Sequence, residues 1–397
     1  MESAIKEKVD LIAECIFTKI QELEDESFGL YNGAFGQLLF LLHYSKYTKN
    51  EKHTLLTERY AEKLLQQFIE KDQHKLHTFC SGFSGILYLF EYLRDNHFID
   101  LDVSEVQPYL DNFIVAQMRQ DIQHRDYDFL HGALGVGVYF LKTKSNPQYI
   151  LELIDFLYHT AEVDADRQIF KWETVVDQEK NNNIFNFSLS HGMSSIIVFL
   201  SRVIQSGLTD ERVPEILTGA VNYMLSQQKD VSQFGSSFPS HIPKNSSNII
   251  SKSRLAWCYG DLGIGSALWK AGKATNKTEW KEKGLEILLQ STHRRTHQET
   301  LVIDAGICHG SAGITMIYRR MFLETQIDNF KDTTQYWINR TLDFSSFEDG
   351  LVGYKSFVNG EWKCDFILLT GISGIGLVLL SYLLNDQQEW DELFLLS

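Results

Sequence analysis

Proline is scarce in this chain, with 5 in 397 residues. A proline inside a helix removes a backbone donor and clashes with the turn before it, so the shortage leaves room for long unbroken helices. Cysteine is scarce too. The 5 cysteines are widely spaced and odd in number, which does not suit a disulfide framework and fits a reducing cytoplasm. No apolar run reaches the roughly 18 residues of a membrane span. The stretch Met1 to Lys8 has no basic region leading into an apolar one, so no secretory signal is read. Positive charge is also in deficit. With 37 Lys+Arg against 52 Asp+Glu the formal charge is −15, which argues against nucleic acid or an anionic membrane as the main partner. The apolar fraction, 44%, is ordinary for a globular protein and excludes disorder.

What is present is a repeat. A Gly-x-x-Gly element opening an apolar run occurs at Gly33/Gly36, Gly82/Gly85, Gly132/Gly135, Gly260/Gly263, Gly310/Gly313 and Gly371/Gly374. A seventh copy, at Gly192, carries Ser195 in the second position. The steps between first glycines are 49, 50, 60, 68, 50 and 61 residues. Periods of this size are the mark of a repeat architecture. Each glycine pair is followed by a run that is apolar nearly all round, such as Ile86–Leu93 or Ile375–Leu383, as a buried helix requires. Amphipathic stretches lie between them, among them Glu51–Lys71, Gln148–Val163 and Lys277–His293. Ile5–Leu23 and Phe330–Leu342 are two more.

The reading is seven inner and seven outer helices in alternation. An open stack of helical hairpins needs polar caps at its ends, yet the last inner run is as apolar as the middle ones. Closure into a ring, with the first outer helix covering the last repeat, removes that difficulty. The expectation is an all-α, α/α toroid of seven helical hairpins, with residues 1–397 in a single domain. Two stretches interrupt the pattern, Asp166–Phe187 and Val231–Ser253. The first has the composition of a short β-hairpin, and both are candidate β-containing insertions (about 166–187 and 231–253).

If the inner helices start at one rim, the residues just before each first glycine line one cavity. Directly before glycine stand Asn32, Ser81, His131, His191, Tyr259, His309 and Thr370. One step earlier stand Tyr31, Cys80, Leu130, Ser190, Cys258, Cys308 and Leu369. Histidine and cysteine gather here in a register that a core would fill with apolar groups. Packed helices lie about 8–10 Å apart, so only neighbouring repeats can share a metal. Cys258, Cys308 and His309 come from consecutive repeats and form a set suited to zinc, with a fourth position open as in catalytic sites. Cys80 is too far round the ring and reads as a buried, inert thiol. Cys15 and Cys364 read as helix-core and loop residues without a partner, and His131 as a satisfied rim histidine.

A second set lies beside the first. Asp128, four residues before Gly132, His191, and Arg254, four before Cys258, belong to consecutive repeats. An imidazole held by a carboxylate serves as acid or base, and an arginine stabilises developing negative charge. Spacing equally allows Asp128 and Arg254 to form a structural ion pair.

Ser190-His191-Gly192, Trp257-Cys258-Tyr259-Gly260 and Cys308-His309-Gly310 resemble the signature motifs of the lanthionine synthetase C-like (LanC) family, and the glycine repeat extends the resemblance over essentially the whole chain. Leu262, where the family often has proline, and Ser195 depart from its pattern. Tyr259 after Cys258 looks like the bacterial cyclases more than the glutathione-binding relatives. The resemblance implies an α/α toroid and a class I lanthipeptide cyclase that joins peptide cysteines to dehydroalanine or dehydrobutyrine as thioether rings. It implies one Zn2+ per chain on Cys258, Cys308 and His309, with His191, Asp128, Arg254 and Tyr259 as acid/base and supporting residues. It also implies a dehydrated precursor peptide with its leader as substrate, a dehydratase and an export transporter as partners, and a cytoplasmic location with peripheral attachment to a membrane complex.

Three rivals differ in what they require. A non-catalytic relative that binds a thiol compound or peptide would keep the same zinc set. A zinc-dependent alkyl transferase resembling the protein prenyltransferases would need its ligands in a different order. A toroidal glycosidase would need two carboxylates across the cavity, and the rim register holds none.

Overall fold

Fourteen long helices, in the alternation expected, account for most of the described residues of the computed structural model, which are 1–21, 27–70, 76–99, 102–177, 182–244, 250–384 and 389–397. In chain order they are α1 (Glu2–Lys19), α2 (Ala34–Thr48), α3 (Glu51–Glu70), α4 (Phe83–Asp95), α5 (Gln107–His124), α6 (Ala133–Thr143), α7 (Pro147–Thr160), α8 (Met193–Ser206), α9 (Arg212–Ser226), the one-turn α10 (Val231–Phe234), α11 (Asp261–Thr275), α12 (Thr278–Ser291), the one-turn α13 (His297–Thr300), α14 (Ser311–Thr325), α15 (Asp328–Asp343) and α16 (Ile372–Leu384). The inner set is α2, α4, α6, α8, α11, α14 and α16. These begin directly after the first glycines and are buried all round; in α2 every residue from Ala34 to Ser45 is buried. The outer helices bury one face only. In α3 that face is Thr57, Tyr60, Ala61, Leu64 and Phe68. Pro147 opens α7 behind an Asn146 cap, where its missing N–H costs nothing. The expected ends at Leu23 and Lys71 lie outside the described residues.

The chain forms two compact units, residues 1–107 with 302–397, and residues 108–301. In the first unit α1 packs against α16 and α2, and α16 packs in turn against α2 and α14. The first outer helix therefore covers the last inner one, the arrangement that ring closure demands. Gly376 of α16 makes the approach possible, since a Cβ there would stand 2.7 Å from the Phe40 ring and 3.0 Å from Ile12. Backbone hydrogen bonds of 2.9 Å tie the rim loops together, from Cys308 N to Leu369 O, Leu369 N to Tyr31 O and Tyr31 N to Cys80 O. The sixth, seventh, first and second repeats are thus joined in that order.

The C-terminus adds a feature that periodicity does not announce. Trp390–Phe394 form a buried 3₁₀ turn. It is held by the buried Arg320–Asp391 pair (2.7 and 2.5 Å) and by Tyr31, whose ring stacks on Phe394 at 4.7 Å. The unit also carries an unforeseen hairpin, with β6 (Ser356–Val358) paired to β7 (Glu361–Lys363) once the earlier strands are counted. Its turn is Asn359-Gly360, with φ of 54° and 84°. Asn-Gly is the preferred sequence of a two-residue hairpin turn, so this element was legible.

In the second unit α6, α8 and α11 pack side by side with α7, α9 and α12 behind them. The first interruption holds more strand than the sequence suggested. β1 (Glu162–Asp164) pairs with β2 (Ile169–Lys171), and β3 (Thr174–Asp177) with β4 (Asn182–Asn186). β4 also pairs with β5 (His241–Pro243) of the second interruption, Phe185 facing Ile242. The two insertions therefore share one three-stranded sheet, a non-local pairing invisible to local patterning. Residues 178–181 and 245–249 of these insertions lie outside the described residues.

Candidate active site

Five of the seven rim residues are placed by the same hydrogen-bonded loop. The residue after the first glycine donates its N–H to the carbonyl six places before that glycine: Ala34 to Ser27 (2.8 Å), Phe83 to Leu76 (2.8 Å), Ala133 to Asp126 (3.2 Å), Ser311 to Asp304 (3.1 Å) and Ile372 to Asp365 (2.9 Å). A Cβ on the glycine would collide with that strand of backbone, at 2.3 Å from Ser27 O in the case of Gly33. Four of the seven loops carry Asp or Asn six places before the glycine: Asp126, Asn186, Asp304 and Asp365. In each the carboxylate or amide oxygen accepts the N–H two residues on, from Asp128, Ser188, Gly306 and Ile367 at 3.0 to 3.2 Å. This Asx turn is a repeat signal the sequence reading missed.

Arg254 holds the equivalent place in its own loop. A guanidinium cannot accept, so this side chain is released from the capping duty of its counterparts. Its loop is also the one with the strained glycine. Gly260 has φ +85°, where the other first glycines that begin helices are extended, and a Cβ would lie 2.3 Å from Arg254 O.

In the second unit Asp128 serves two purposes. Its Oδ1 accepts the N–H groups of Leu130 and His131 at 2.7 and 2.9 Å, which closes its own loop. Its Oδ2 lies 2.6 Å from Nδ1 of His191 in the next repeat. The imidazole thus donates from Nδ1 to a carboxylate. Arg254 is half-buried and forms no hydrogen bond or ion pair among the described residues, so the alternative Asp128–Arg254 pair is not formed. Tyr259 has its ring 6.4 Å from that of His191. Burial pushes its phenol above the usual range against hydrogen bonds to Asn186 and Ser188, so it stays protonated. His131 is exposed and stacks on His191 at 5.8 Å. Desolvation by its neighbours, with the His191 charge, lowers its pKa against the pull of Asp128 and Asp126. It stands against the His191–Asp128 pair, not apart from it. Ser190 Oγ is buried with no hydrogen-bond partner. Cys258 is buried and reduced, and its carbonyl accepts Leu189 N at 2.9 Å.

In the first unit Cys308 is a half-buried cysteine in no disulfide, directly before His309. His309 Nε2 lies 3.2 Å from Asp304 Oδ2 and 3.3 Å from the Phe357 carbonyl. Burial opposes the charged imidazole, but Asp304 and Cys308 outweigh it and hold the group up at about 10. Asp304 was not singled out by sequence reasoning, although its place six before Gly310 carries the Asx signal. Cys80 is buried, as expected of an inert thiol. Cys364 is not without a partner, since its thiol donates to Asp349 O at 3.3 Å.

Among the described residues no group of three or more His, Cys, Asp and Glu side chains forms that could hold a metal ion. The three-ligand set of the sequence is accordingly not assembled within either unit: Cys258 belongs to the second, Cys308 and His309 to the first. The donors themselves suit zinc. They are two cysteines in no disulfide and an imidazole whose Nε2 faces two acceptors, so that Nδ1 is the nitrogen suited to a ligand bond. No helix among the described residues is long and apolar enough to cross a membrane.

Comparison with known proteins places these features in a family. The model of the lanthionine synthetase C-like proteins matches residues 24–395, and the chain belongs to that family. The nisin biosynthesis protein NisC of Lactococcus lactis subsp. lactis is 22% identical over 338 residues, covering 77% of this chain and 78% of that protein. A solved structure of nisin cyclase, 18% identical, covers 99% of this chain and 97% of its own with a TM-score of 0.78. That likeness shows the fold, an α/α toroid.

Proposed function

We propose that this protein is a zinc-dependent lanthipeptide cyclase. Its substrate is a precursor peptide, carrying a leader, whose serines and threonines have been dehydrated. The reaction adds a cysteine thiol of the peptide to the β-carbon of dehydroalanine or dehydrobutyrine. A C–S bond forms, the thiol proton leaves, and the enolate takes one proton at its α-carbon. The observation that carries the reading is the 2.6 Å contact of His191 Nδ1 with Asp128 Oδ2, an acid/base pair on a rim loop of a LanC-like chain.

Cys258, Cys308 and His309 would hold the zinc, which when bound supplies acidification of a thiol at its open position. The remaining work falls to the chain. Asp128 fixes the His191 ring and stabilises its imidazolium, so that Nε2–H delivers the proton to the α-carbon. Arg254, whose guanidinium has no partner among the described residues, is suited to stabilise the enolate oxygen. Tyr259, kept neutral by burial, donates a hydrogen bond beside them. A dehydratase upstream and an export transporter downstream are the partners this reaction calls for.

The test begins with zinc per chain in protein purified under reducing conditions, beside Cys258→Ala and Cys308→Ala. About one zinc in the parent and little in either variant is expected for a single three-ligand site. Incubation with a dehydrated precursor peptide then gives thiol-blocked, thioether-ringed product with the parent and open peptide with Cys308→Ala. Full ring formation by a folded Cys308→Ala sinks the metal role. Peptide binding without ring closure by the zinc-loaded parent replaces the cyclase with a binding protein.

A further inference from the structure

We propose that Asp304 is a positioning residue that locks His309 with Nε2–H turned inward and Nδ1 presented to the metal. The inference rests on the zinc reading above and adds to it a residue outside the motif.

The argument uses the acceptors around one nitrogen. Asp304 Oδ2 and the Phe357 carbonyl, both unable to donate when Asp304 is ionised, lie 3.2 and 3.3 Å from His309 Nε2. That nitrogen must therefore carry hydrogen, and the neutral ring has its lone pair on Nδ1. The carboxylate is in turn fixed on both oxygens. Oδ1 accepts Gly306 N at 3.2 Å, and Oδ2 also accepts Phe357 N at 3.1 Å. Asp304 is buried, so water does not compete for it. A metal-ligating histidine whose second nitrogen donates to a carboxylate is oriented and made more basic, and loss of such a partner costs about 10–100-fold in metal affinity.

The same loop position supplies a control. Asp365 caps its own loop through Ile367 N at 3.0 Å and accepts from Thr370 Oγ1 at 2.6 Å, with no imidazole involved. It shares the structural duty of Asp304 and lacks the positioning one.

The experiment measures zinc affinity of the full chain by competition with a chromogenic chelator, for the parent, Asp304→Asn and Asp365→Asn. The expected result is a loss of about 10–100-fold for Asp304→Asn and parent-like affinity for Asp365→Asn. Equal affinity of the parent and Asp304→Asn overturns the positioning role and leaves the zinc reading standing. A folded parent that binds no zinc overturns both. Should Asp304→Asn fail to fold, nitrogen NMR of the zinc-loaded, histidine-labelled parent decides instead: metal on Nδ1 with hydrogen on Nε2 supports the assignment, and metal on Nε2 overturns it.

Discussion

Two carboxylate–imidazole pairs sit on equivalent rim loops, one in each unit, and they are built in opposite senses. Asp128 takes the Nδ1 side of His191, at 2.6 Å. Asp304 takes the Nε2 side of His309, at 3.2 Å. The first pair spans two repeats and is open, its side chains 30% and 20% exposed. The second lies within one repeat and is closed, at 19% and 1%. In both, the carboxylate also caps the backbone of its loop, so each imidazole hangs from a rigid support. The difference lies in which nitrogen is left over. Nε2, at the end of the ring, suits delivery of a proton to a substrate atom. Nδ1, close to the backbone, suits a ligand bond that shares its ion with the adjacent residue in the chain.

The two pairs can be separated by experiment. The largest effect is expected for His191→Asn, with ring closure slowed by about 10²–10⁴ and zinc content unchanged, read by mass spectrometry of thiol-blocked peptide. Zinc loss in that variant would merge the two pairs into one site. Arg254→Ala should slow the reaction by about 10²–10³ with little change in stability, because the guanidinium has no partner to lose among the described residues. An equal fall in melting temperature and rate would instead mark it as structural. Gly260→Ala should cost about 1–3 kcal/mol in denaturant unfolding, from the positive φ and the collision with Arg254 O. A parent-like midpoint would show that the Cys258 loop tolerates the change. The smallest effect belongs to Asp365→Asn, about 1 kcal/mol or less from one weakened loop bond, with zinc content and ring closure both at the parent level. Impaired ring closure there would extend the functional rim beyond the two pairs.

Much of this was legible before the fold was known. The glycine register located the inner helices to within a residue of their starts, because the close approach of loop backbone admits no Cβ there. The same register brought His191, Tyr259, Cys258, Cys308 and His309 forward as rim residues. Asp128 emerged from its offset to Gly132. Asp304 did not, because no motif includes it and its mark is the Asx turn it shares with Asp126, Asn186 and Asp365. His131 was set aside as a satisfied rim residue. Its stacking on His191 depends on the orientation of two neighbouring loops, which spacing along the chain does not record.

By itself the sequence determined the alternation of buried and half-buried helices, the placement of the inner-helix starts, and the residue types gathered at the rim. These follow from local rules: the 3.6-residue period, the exclusion of a Cβ at each first glycine, and the donors and acceptors each side chain carries. The tertiary structure alone decided that Asp128 pairs with His191 and not with Arg254, that Asp304 takes His309 by Nε2, and that the two insertions share a sheet. Each of these joins residues far apart in the chain through contacts of a few ångströms, and such contacts depend on loop geometry and packing that no local pattern encodes.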